Sequence, residues 1–440
     1  MLLLENALIV SNDRRRRVFR GSVRIEDGHI AKTGRNLRPL RGETRVDLSG
    51  QVLIPGFVQT HVHLCQTLFR NLADDLQLLD WLRLRIWPFE AAHTEKSLRA
   101  SARLGIAELL AGGTTTVLDM GTVRHTSSLF EAAEEMGIRA FIGKCLMDHP
   151  ESPRALREST RAALDENLEL ISRWHGAAQG RLRYAQAPRF ALSCTTQLLE
   201  SVRDISRDLN LLVHTHSSEN REEIKAVRRL HGCNNVEFFE RIGLAGPRLV
   251  LAHCIWLSPQ EVRILSRTGT KVSHCPSSNL KLASGIAPVP RLRGAGVCVS
   301  LGADGAPCNN NLDMFQEMRL ASLVQKPEHG PESMRAQEVF EMATLEGARA
   351  LGMEKEIGSI EPGKKADLVA LDLLRPESLA DPEKPGEVIS SIVYSCSPGN
   401  VTHTWVDGRL VCRRGEPRGA SRREIVREAL AERRKLLRRV

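Results

Sequence analysis

The sequence has few aromatic residues, no paired cysteine motif and no long apolar run. Aromatic side chains make up 4% of the 440 residues, and only 2 of them are tyrosine, so a base-stacking surface for nucleic acid is not expected. The 10 cysteines form no CxxC pair and lie mostly in apolar segments. This distribution indicates buried, reduced thiols rather than a disulfide framework. No apolar stretch reaches the length that spans a bilayer.

The first residues, MLLLENALIVSNDRRRRVF, lack the basic leader and the cleavage site of a signal peptide, and they alternate like a strand. We therefore expect a cytoplasmic protein with no membrane partner. The net charge of +9 is concentrated in Arg14–Arg17 and near the C-terminus. We interpret the first cluster as a hairpin turn and the second as a basic amphipathic helix over 413–440. Solvated arginines explain this excess more simply than nucleic-acid binding does.

The central part of the chain alternates β-like runs with helical segments, whereas both ends consist of short strands and turns. The eight β-like runs cover 56–63, 114–120, 139–147, 182–188, 211–216, 249–254, 271–275 and 297–304. Eight successive strand–helix units predict an α/β fold, a (β/α)8 barrel. Residues 1–55 and 365–412 are expected to form a composite β-sandwich domain, residues 56–364 the barrel, and residues 413–440 the basic helix.

Each β-like run is apolar along its length and polar at its C-terminal end. The residues at these ends are His61, His63, Asp119, Arg189, His214, His216, His253, His274 and Asp304. The C-terminal ends of barrel strands meet at one mouth, where chemistry takes place. Burying so many imidazoles and carboxylates without partners would be costly. A shared cation would offset that cost.

The first run, GFVQTHVH, places His61 and His63 two residues apart, and therefore on one face of a strand. Together with His216 and Asp304 they offer three imidazoles and one carboxylate. This set favours Zn²⁺, with Fe²⁺ as the alternative. The fourth run ends in AQAPRF, without a lysine that could bridge a second ion, so one divalent metal is predicted. His214 has the parity of His216 and is expected to be a supporting group or a core residue.

Three residues are candidates for the chemistry at such a metal. Glu219 lies on the loop in HTHSSEN and could shuttle a proton, although an acidic residue at a helix N-terminus is also favoured by the helix dipole. His253 could orient or polarise the attacked group, and Asp304 could take a proton from water. Because a bound metal lowers the pKa of its water to about 7, we expect an enzyme that attacks an sp² carbon hydrolytically.

The segments PGFVQTHVH, HTHSSE, LAHC, HCPSSNLKLASGIAP and LGADGAPCNN resemble the purine and triazine aminohydrolase branch of the amidohydrolase superfamily. GSIEPGKKADLVALD is similar to the segment that re-enters the small β-sandwich in that superfamily. The resemblance implies a hydrolase of C–N bonds in cyclic amidines, a small purine-type substrate and, by analogy, a homo-oligomer. It also implies that Glu219 protonates a ring nitrogen, His253 steadies the attacking hydroxide and Asp304 receives a proton.

Within that branch, the chain is similar to deaminases of S-adenosylhomocysteine, methylthioadenosine and 5′-deoxyadenosine. ADDLQLLDWLRLRIWPFE matches their loop after the first strand, which implies that Trp81 packs at the substrate and that Glu90 grips ribose hydroxyls. After the fourth β-like run, where the S-adenosylhomocysteine deaminases carry a histidine, this chain has Arg189, followed by Phe190. Together with Gln66, they resemble guanine deaminases, in which the arginine contacts a purine oxygen. Arg189 could instead bind a carboxylate or hold Glu90.

The sequence therefore predicts a metal-dependent deaminase of adenine nucleosides, and three alternatives stay open. One is a guanine-like purine aminohydrolase, or a triazine aminohydrolase or chlorohydrolase. Another is a catalytically dead barrel that serves as a scaffold, which the intact set of predicted ligands disfavours. The last is nucleic-acid binding through the basic tail.

Overall fold

A computed structural model describes residues 1–440 and contains two β-sheets. The first, here called the terminal sheet, has 9 strands from both ends of the chain. Its order is Glu416–Pro417, Arg409–Arg413, Val401–Val406, Leu368–Asp372, Gln51–Pro55, Leu2–Val10, Val18–Glu26 and His29–Gly34, with Thr44–Asp47 beside Leu2–Val10. The antiparallel pairing of Gln51–Pro55 with Leu368–Asp372 joins the two ends of the chain.

The second sheet contains 10 strand segments, all in parallel pairs. Two short segments continue a preceding strand, so that eight barrel strands result. In chain order, barrel strands 1 to 8 are Phe57–His63, Thr114–Met120, Arg139–Gly143 with Cys145–Leu146, Leu182–Pro188, Leu212–Ser217, Leu249–His253, Lys271–His274, and Val299–Leu301 with Asp304–Gly305. Strand 8 pairs with strand 1 through Asp304 and Gly305, which closes the ring and confirms the predicted (β/α)8 barrel.

Helices between the barrel strands, and three helices after strand 8, cover the outside of the barrel. They are Glu95–Ala111, Ser127–Met136, Thr160–Trp174, Thr196–Asp208, Arg221–His231, Asn235–Arg241, Pro259–Thr268, Val289–Gly294, Met314–Leu323, Ala336–Met342 and Leu345–Ala350. Local sequence sets several of their ends. The Ser258 hydroxyl accepts a hydrogen bond from the Glu261 amide and caps the helix that Pro259 opens. Gly137, with a φ of 79°, ends another helix in the left-handed conformation.

Shorter helical segments lie in the remaining connections. They are Leu64–Phe69, Leu78–Trp81, Leu82–Ile86, Trp87–Ala91, Ala177–Gly180, Pro276–Lys281, Ala306–Asn309, Lys326–His329, Pro376–Ser378, Pro385–Tyr394 and Pro398–Asn400. Three of them are consecutive and form residues 78–91, here called the wall segment. Arg422–Leu437, here called the C-terminal helix, follows the terminal sheet. None of the helices has the length and apolar composition required to cross a bilayer.

The terminal sheet is bonded to the N-terminal ends of barrel strands, opposite the mouth. Arg139, which begins barrel strand 3, donates hydrogen bonds of 2.8 and 2.9 Å to the Asp367 carboxylate and also pairs with Asp407. Gly56 precedes strand 1, and a Cβ atom at this glycine would lie 2.2 Å from Thr115 Oγ1. The close approach of the chains at this junction therefore requires glycine.

We propose that residues 1–55 with 365–412 form one domain and residues 56–364 the barrel domain, as the sequence predicts. The helical part of 413–440 is Arg422–Leu437, and the short strand Glu416–Pro417 adds to the edge of the terminal sheet. Limited proteolysis that cuts first near residues 55 and 365 would support this division. Cuts confined to the interior of the barrel would argue against it.

Candidate metal centre and active site

Four side chains from three barrel strands meet at the mouth of the barrel. His61 and His63 come from strand 1, His216 from strand 5 and Asp304 from the end of strand 8. Three of these side chains are buried and His216 is nearly so, and their possible ligand atoms lie within 4.8 Å of one another. The fold thus brings together the residues that sequence analysis names as candidate ligands.

The distances among these atoms fit a shared cation. Asp304 Oδ1 lies 3.2 Å from His61 Nε2 and 3.3 Å from His63 Nε2. The Nε2 atoms of His63 and His216 are 3.3 Å apart. Ligands bonded to a tetrahedral ion at about 2.0–2.1 Å are separated from one another by about 3.3–3.4 Å. In addition, the buried Nε2 of His61 has no hydrogen-bond partner. Three imidazole nitrogens and one carboxylate are therefore placed so that they could hold a divalent metal.

Burial favours the uncharged imidazoles that a metal requires. It lowers the pKa of His61 to about 4 and holds the pKa of His216 well below its ordinary value. Burial alone would raise the pKa of Asp304, but the nearby His61 and His63 hold that pKa well below its usual range. The site therefore combines free imidazole lone pairs with an ionised carboxylate.

The far nitrogen of each histidine has a partner that orients the ring. His63 Nδ1 donates to the carbonyl oxygen of Met120 at 3.0 Å, and His216 Nδ1 donates to that of Arg189 at 2.7 Å. His61 Nδ1 lies 2.7 Å from His214 Nε2. These contacts point each Nε2 toward the common centre. His214 is therefore a supporting group, which was one of its two predicted roles.

Two further side chains, Glu219 and His253, face the same centre. His253 Nε2 lies 3.5 Å from Glu219 Oε2 and 3.9 Å from Asp304 Oδ2. Burial raises the pKa of Glu219 to about 7. Burial would lower the pKa of His253, but the Glu219 and Asp304 carboxylates raise it above the ordinary value. The pair can therefore hold or transfer a proton near neutral pH.

The short helix Pro276–Lys281, which follows strand 7, orients the side chains of Asp304 and His253. Ser278 Oγ donates to Asp304 Oδ2 at 2.6 Å, and His253 Nδ1 donates to Asn279 Oδ1 at 2.8 Å. Sequence analysis assigns no role to Ser278 or Asn279. Their position directly after a barrel strand, within HCPSSNLK, is the signal that could have identified them.

The backbone at the mouth is strained at two functional positions. His253 has a φ of 73° and Asp304 a φ of 62°, in the left-handed region that residues with a Cβ rarely adopt. Such conformations cost about 1–3 kcal/mol and persist where the surrounding structure imposes them. Here they direct both side chains toward the candidate metal centre.

A buried polar network lies at one side of the site, where Gln66 and Arg189 line the cavity and Glu90 lies behind them, outside the lining. Arg189 donates to both oxygens of Glu90, at 2.5 and 3.2 Å, and Gln66 Nε2 donates to Glu90 Oε1 at 2.9 Å. Burial would raise the pKa of Glu90, but Arg189 outweighs it and lowers the pKa below its ordinary value. Of the roles left open for Arg189, the structure shows the contact with Glu90.

The cavity beside the candidate metal centre is mainly apolar on its remaining sides. The apolar residues that line it are Leu78, Trp81, Leu82, Phe190 and Leu282. Arg189 is its only lysine or arginine, and Glu223 adds a buried carboxylate that accepts a 2.8 Å hydrogen bond from the Glu219 amide. The sequence predicts Trp81 and Phe190 as substrate-binding residues but does not predict Glu223 or the three leucines. Apolar residues at helical spacing usually belong to a hydrophobic core.

Two polar residues at strand ends lie outside this centre. The Asp119 carboxylate accepts a 2.7 Å hydrogen bond from the Leu64 amide and so supports the turn after strand 1. His274 is buried, neither ring nitrogen has a partner, and it does not line the cavity. A third charged residue, Lys144, lies between the two segments of strand 3 and pairs with Glu158 and Glu166.

Comparison with known proteins agrees with this geometry. The model of the amidohydrolase family matches residues 52–411. The chain is 44% identical over 400 residues to the 5′-deoxyadenosine deaminase of Methanothermobacter thermautotrophicus. This match covers 91% of this chain and 91% of that protein. It is 39% identical to the 5-methylthioadenosine/S-adenosylhomocysteine deaminase of Symbiobacterium thermophilum, over 89% of this chain and 88% of that protein.

A solved structure extends the similarity to almost every residue. It is an adenosine deaminase from Xanthomonas campestris with bound zinc, with 31% sequence identity and a TM-score of 0.92. The match covers 99% of this chain and 98% of that one.

Proposed function

The chain belongs to the amidohydrolase family, and on that premise we propose that it is a metal-dependent deaminase of adenine nucleosides. Candidate substrates are 5′-deoxyadenosine, 5′-methylthioadenosine and S-adenosylhomocysteine, with release of ammonia. One observation carries this proposal. The candidate metal centre lies beside Glu219 and His253 in one cavity. Relatives that carry these deaminase names support the substrate class.

We propose His61, His63, His216 and Asp304 as the ligands of one Zn²⁺. The donor set and the spacing of about 3.3 Å between ligands suit this ion, and a similar structure has zinc bound. Fe²⁺ is the alternative. When bound, the ion supplies Lewis acidity that makes water a nucleophile near neutral pH.

The protein groups then move the protons. Glu219, protonated near neutral pH because it is buried, donates its proton to the ring nitrogen next to the amino-bearing carbon. Asp304 Oδ2 accepts a proton from the attacking water and passes it toward the leaving amine. His253, held by Asn279, donates from Nε2 to the attacking oxygen. The remaining proton of the attacking oxygen returns to Glu219 as the C–N bond breaks, so the carbon becomes a carbonyl, the ring nitrogen keeps its proton and ammonia leaves.

The walls of the cavity favour a nucleoside with a small, uncharged 5′ group. We propose that Glu90 and Gln66 bind the ribose hydroxyls and that Trp81 and Phe190 pack on the substrate. The only lysine or arginine in the lining, Arg189, is already paired with Glu90, so no free guanidinium or ammonium group is available for the carboxylate of S-adenosylhomocysteine. This pairing also disfavours the guanine-like alternative, which requires the guanidinium to contact a purine oxygen.

The test is an ammonia-release assay on protein of measured metal content. The substrates are 5′-deoxyadenosine, methylthioadenosine, S-adenosylhomocysteine, adenosine, guanine and 8-oxoguanine, with His61→Ala as the metal-deficient control. We expect the highest kcat/KM for 5′-deoxyadenosine or methylthioadenosine and no release from the two free bases. Release from guanine alone would favour the guanine-like function. No release from any substrate by metal-loaded protein would favour the scaffold.

We further propose that the protein is a cytoplasmic homo-oligomer that binds neither nucleic acid nor membrane. Light scattering at micromolar concentration tests the oligomeric state, and fractionation of cells tests the location. A monomer, or recovery with membranes or nucleic acid, would contradict the corresponding part.

A further inference from the structure

The C-terminal helix lies against the elements that carry the wall of the active site. Its buried residues are Ile425, Ala429, Glu432 and Leu436. This face packs on the helix Glu95–Ala111 and on the turn Leu64–Phe69, which contains Gln66. Arg103 in the first of these pairs with Glu428.

The apolar contacts of this helix continue to the cavity. Ala429 and Leu436 belong to one hydrophobic cluster with Leu68, Phe69, Ala73, Leu78, Trp81, Leu82, Ile86, Phe89, Leu282 and Cys308. Several of these residues lie in the wall segment, and Trp81 also lines the cavity. The end of the chain is therefore part of the packing behind the wall of the site.

A polar contact adds to this packing. Arg439 Nε donates a 2.8 Å hydrogen bond to the carbonyl oxygen of Ala92, the residue that ends the helix containing Glu90. His93, the next residue, lies 3.0 Å from Ser97 Oγ through Nδ1 and 2.8 Å from the Cys65 carbonyl oxygen through Nε2. Cys65 precedes Gln66, so the elements that carry Glu90 and Gln66 are linked to each other at this point.

The wall segment depends on contacts with its surroundings to hold it in place. It is one continuous helical run made of Leu78–Trp81, the π-helix Leu82–Ile86 and Trp87–Ala91. An isolated helix of about this length is only marginally stable in water, and π-helical turns are rare and associated with functional sites. Packing from outside must therefore determine its position.

We propose that the C-terminal helix and the residues that follow it position the wall segment, with Leu436 in the helix and Arg439 after it as the positioning residues. They act through the wall segment on Trp81, Glu90 and Gln66, and they do not touch substrate. This inference rests on the proposed function only for its kinetic consequence. Its structural consequence, the order of residues 78–92, can be measured without a substrate.

Hydrogen exchange on the full-length, metal-loaded protein measures the structural consequence. Arg439→Ala and Leu436→Ala are compared with the neighbouring exposed positions, Arg438→Ala and Leu437→Ala. In Arg439→Ala we expect about fivefold faster exchange of the 78–92 amides, corresponding to one lost hydrogen bond. In Leu436→Ala we expect at least as large an increase, because a buried apolar side chain is truncated, and in the second pair no change. Arg439 lies on the surface, so its replacement should not prevent folding. Unchanged exchange in Arg439→Ala, or equal changes in both pairs, would overturn the proposal.

Steady-state kinetics with 5′-deoxyadenosine measures the functional consequence. Arg439→Ala should raise KM about fivefold with kcat within twofold, because the wall binds ribose and does not perform chemistry. Arg439→Lys should recover part of the loss, and 2′,3′-dideoxyadenosine, which lacks the 2′ and 3′ hydroxyls, should show a smaller effect. A fall in kcat with constant KM would indicate only a loss of folded enzyme and would overturn the positioning role. If the wild type deaminates no nucleoside while the exchange difference is observed, the positioning element stands and the proposed function fails.

Discussion

At the scale of single residues, the proposed chemistry depends on one carboxyl group that can hold its proton near neutral pH. Glu219 is buried against His253 and accepts only a long hydrogen bond, 3.4 Å from Ser284 Oγ. Removal from water disfavours the charged form, which raises its pKa to about 7. A carboxyl group of this kind can donate a proton where an exposed one could not.

The first prediction concerns the pH profile of kcat/KM. Because the acid form of Glu219 is required and its pKa is about 7, activity should fall about tenfold per pH unit above that value. Glu219→Gln should lower kcat about 10²–10⁴-fold, retain the metal and lack this descending limb. Ser284→Ala should move the limb to higher pH, since the Ser284 hydroxyl stabilises the carboxylate. If kcat/KM of Glu219→Gln falls above the same pH as in the wild type, Glu219 is not the group that donates the proton.

The second prediction concerns the orientation of His253. Asn279→Ala removes the acceptor of the His253 Nδ1 hydrogen bond, so the ring can rotate away from the attacking oxygen. We expect kcat to fall about 10–100-fold with unchanged metal content. The control is Leu280→Ala, a change at the adjacent, exposed position of the same short helix. Equal activity of the two variants would show that Asn279 does not orient the ring.

At the scale of elements, the end of strand 4 is joined to the wall segment by a buried ion pair. The side chains of Arg189 and Glu90 are 5% and 3% exposed, so solvent contributes little to either charge. The two residues are 99 positions apart in the chain. Their pairing therefore fixes the wall segment against the barrel.

The third prediction follows from this pair. Arg189→Ala leaves the Glu90 charge buried without a cation and should lower the free energy of unfolding by about 3–5 kcal/mol. The double variant Arg189→Leu/Glu90→Gln removes both charges and should lose less than the single variant. Urea unfolding of the metal-loaded proteins measures both values. A double variant less stable than Arg189→Ala would show that the unpaired charge is not the source of the loss.

At the scale of the whole molecule, the candidate metal centre connects strands 1, 5 and 8 across the barrel. A cation bound only by the native state stabilises it by mass action. The closure of strand 8 on strand 1 passes directly through Asp304. We therefore expect metal binding to stabilise the closed barrel.

The fourth prediction concerns metal removal. Treatment with a chelator should lower stability by about 4 kcal/mol relative to protein with the metal at 1,000 times its dissociation constant. The midpoint of thermal unfolding should fall accordingly, and Zn²⁺ should restore it together with activity. His61→Ala should show little response to the chelator, whereas His403→Ala, on the terminal sheet, should respond like the wild type. A wild type with full stability after verified metal removal would support the scaffold.

The barrel and its ligand set could be predicted from the sequence. Apolar runs with polar ends mark barrel strands, and the two-residue spacing of His61 and His63 places both on one face of a strand. Such patterns are local, and the geometry of a barrel alone makes strand ends converge. The strand bounds differ from the predicted runs mainly at the ends, for example at Val299–Leu301, because pairing within the sheet determines where a strand stops.

What the sequence by itself determined is the barrel, the family resemblance and the candidate ligands, since each depends on residue type and local spacing. Only the tertiary structure decided which partner Arg189 takes, that Asn279 holds His253, and that Arg439 reaches Ala92 across 347 residues. A guanidinium can pair with a substrate, a carboxylate or water. Which partner it takes depends on which groups the packing brings within about 3 Å of it and removes from solvent. No local sequence pattern predicts that distance.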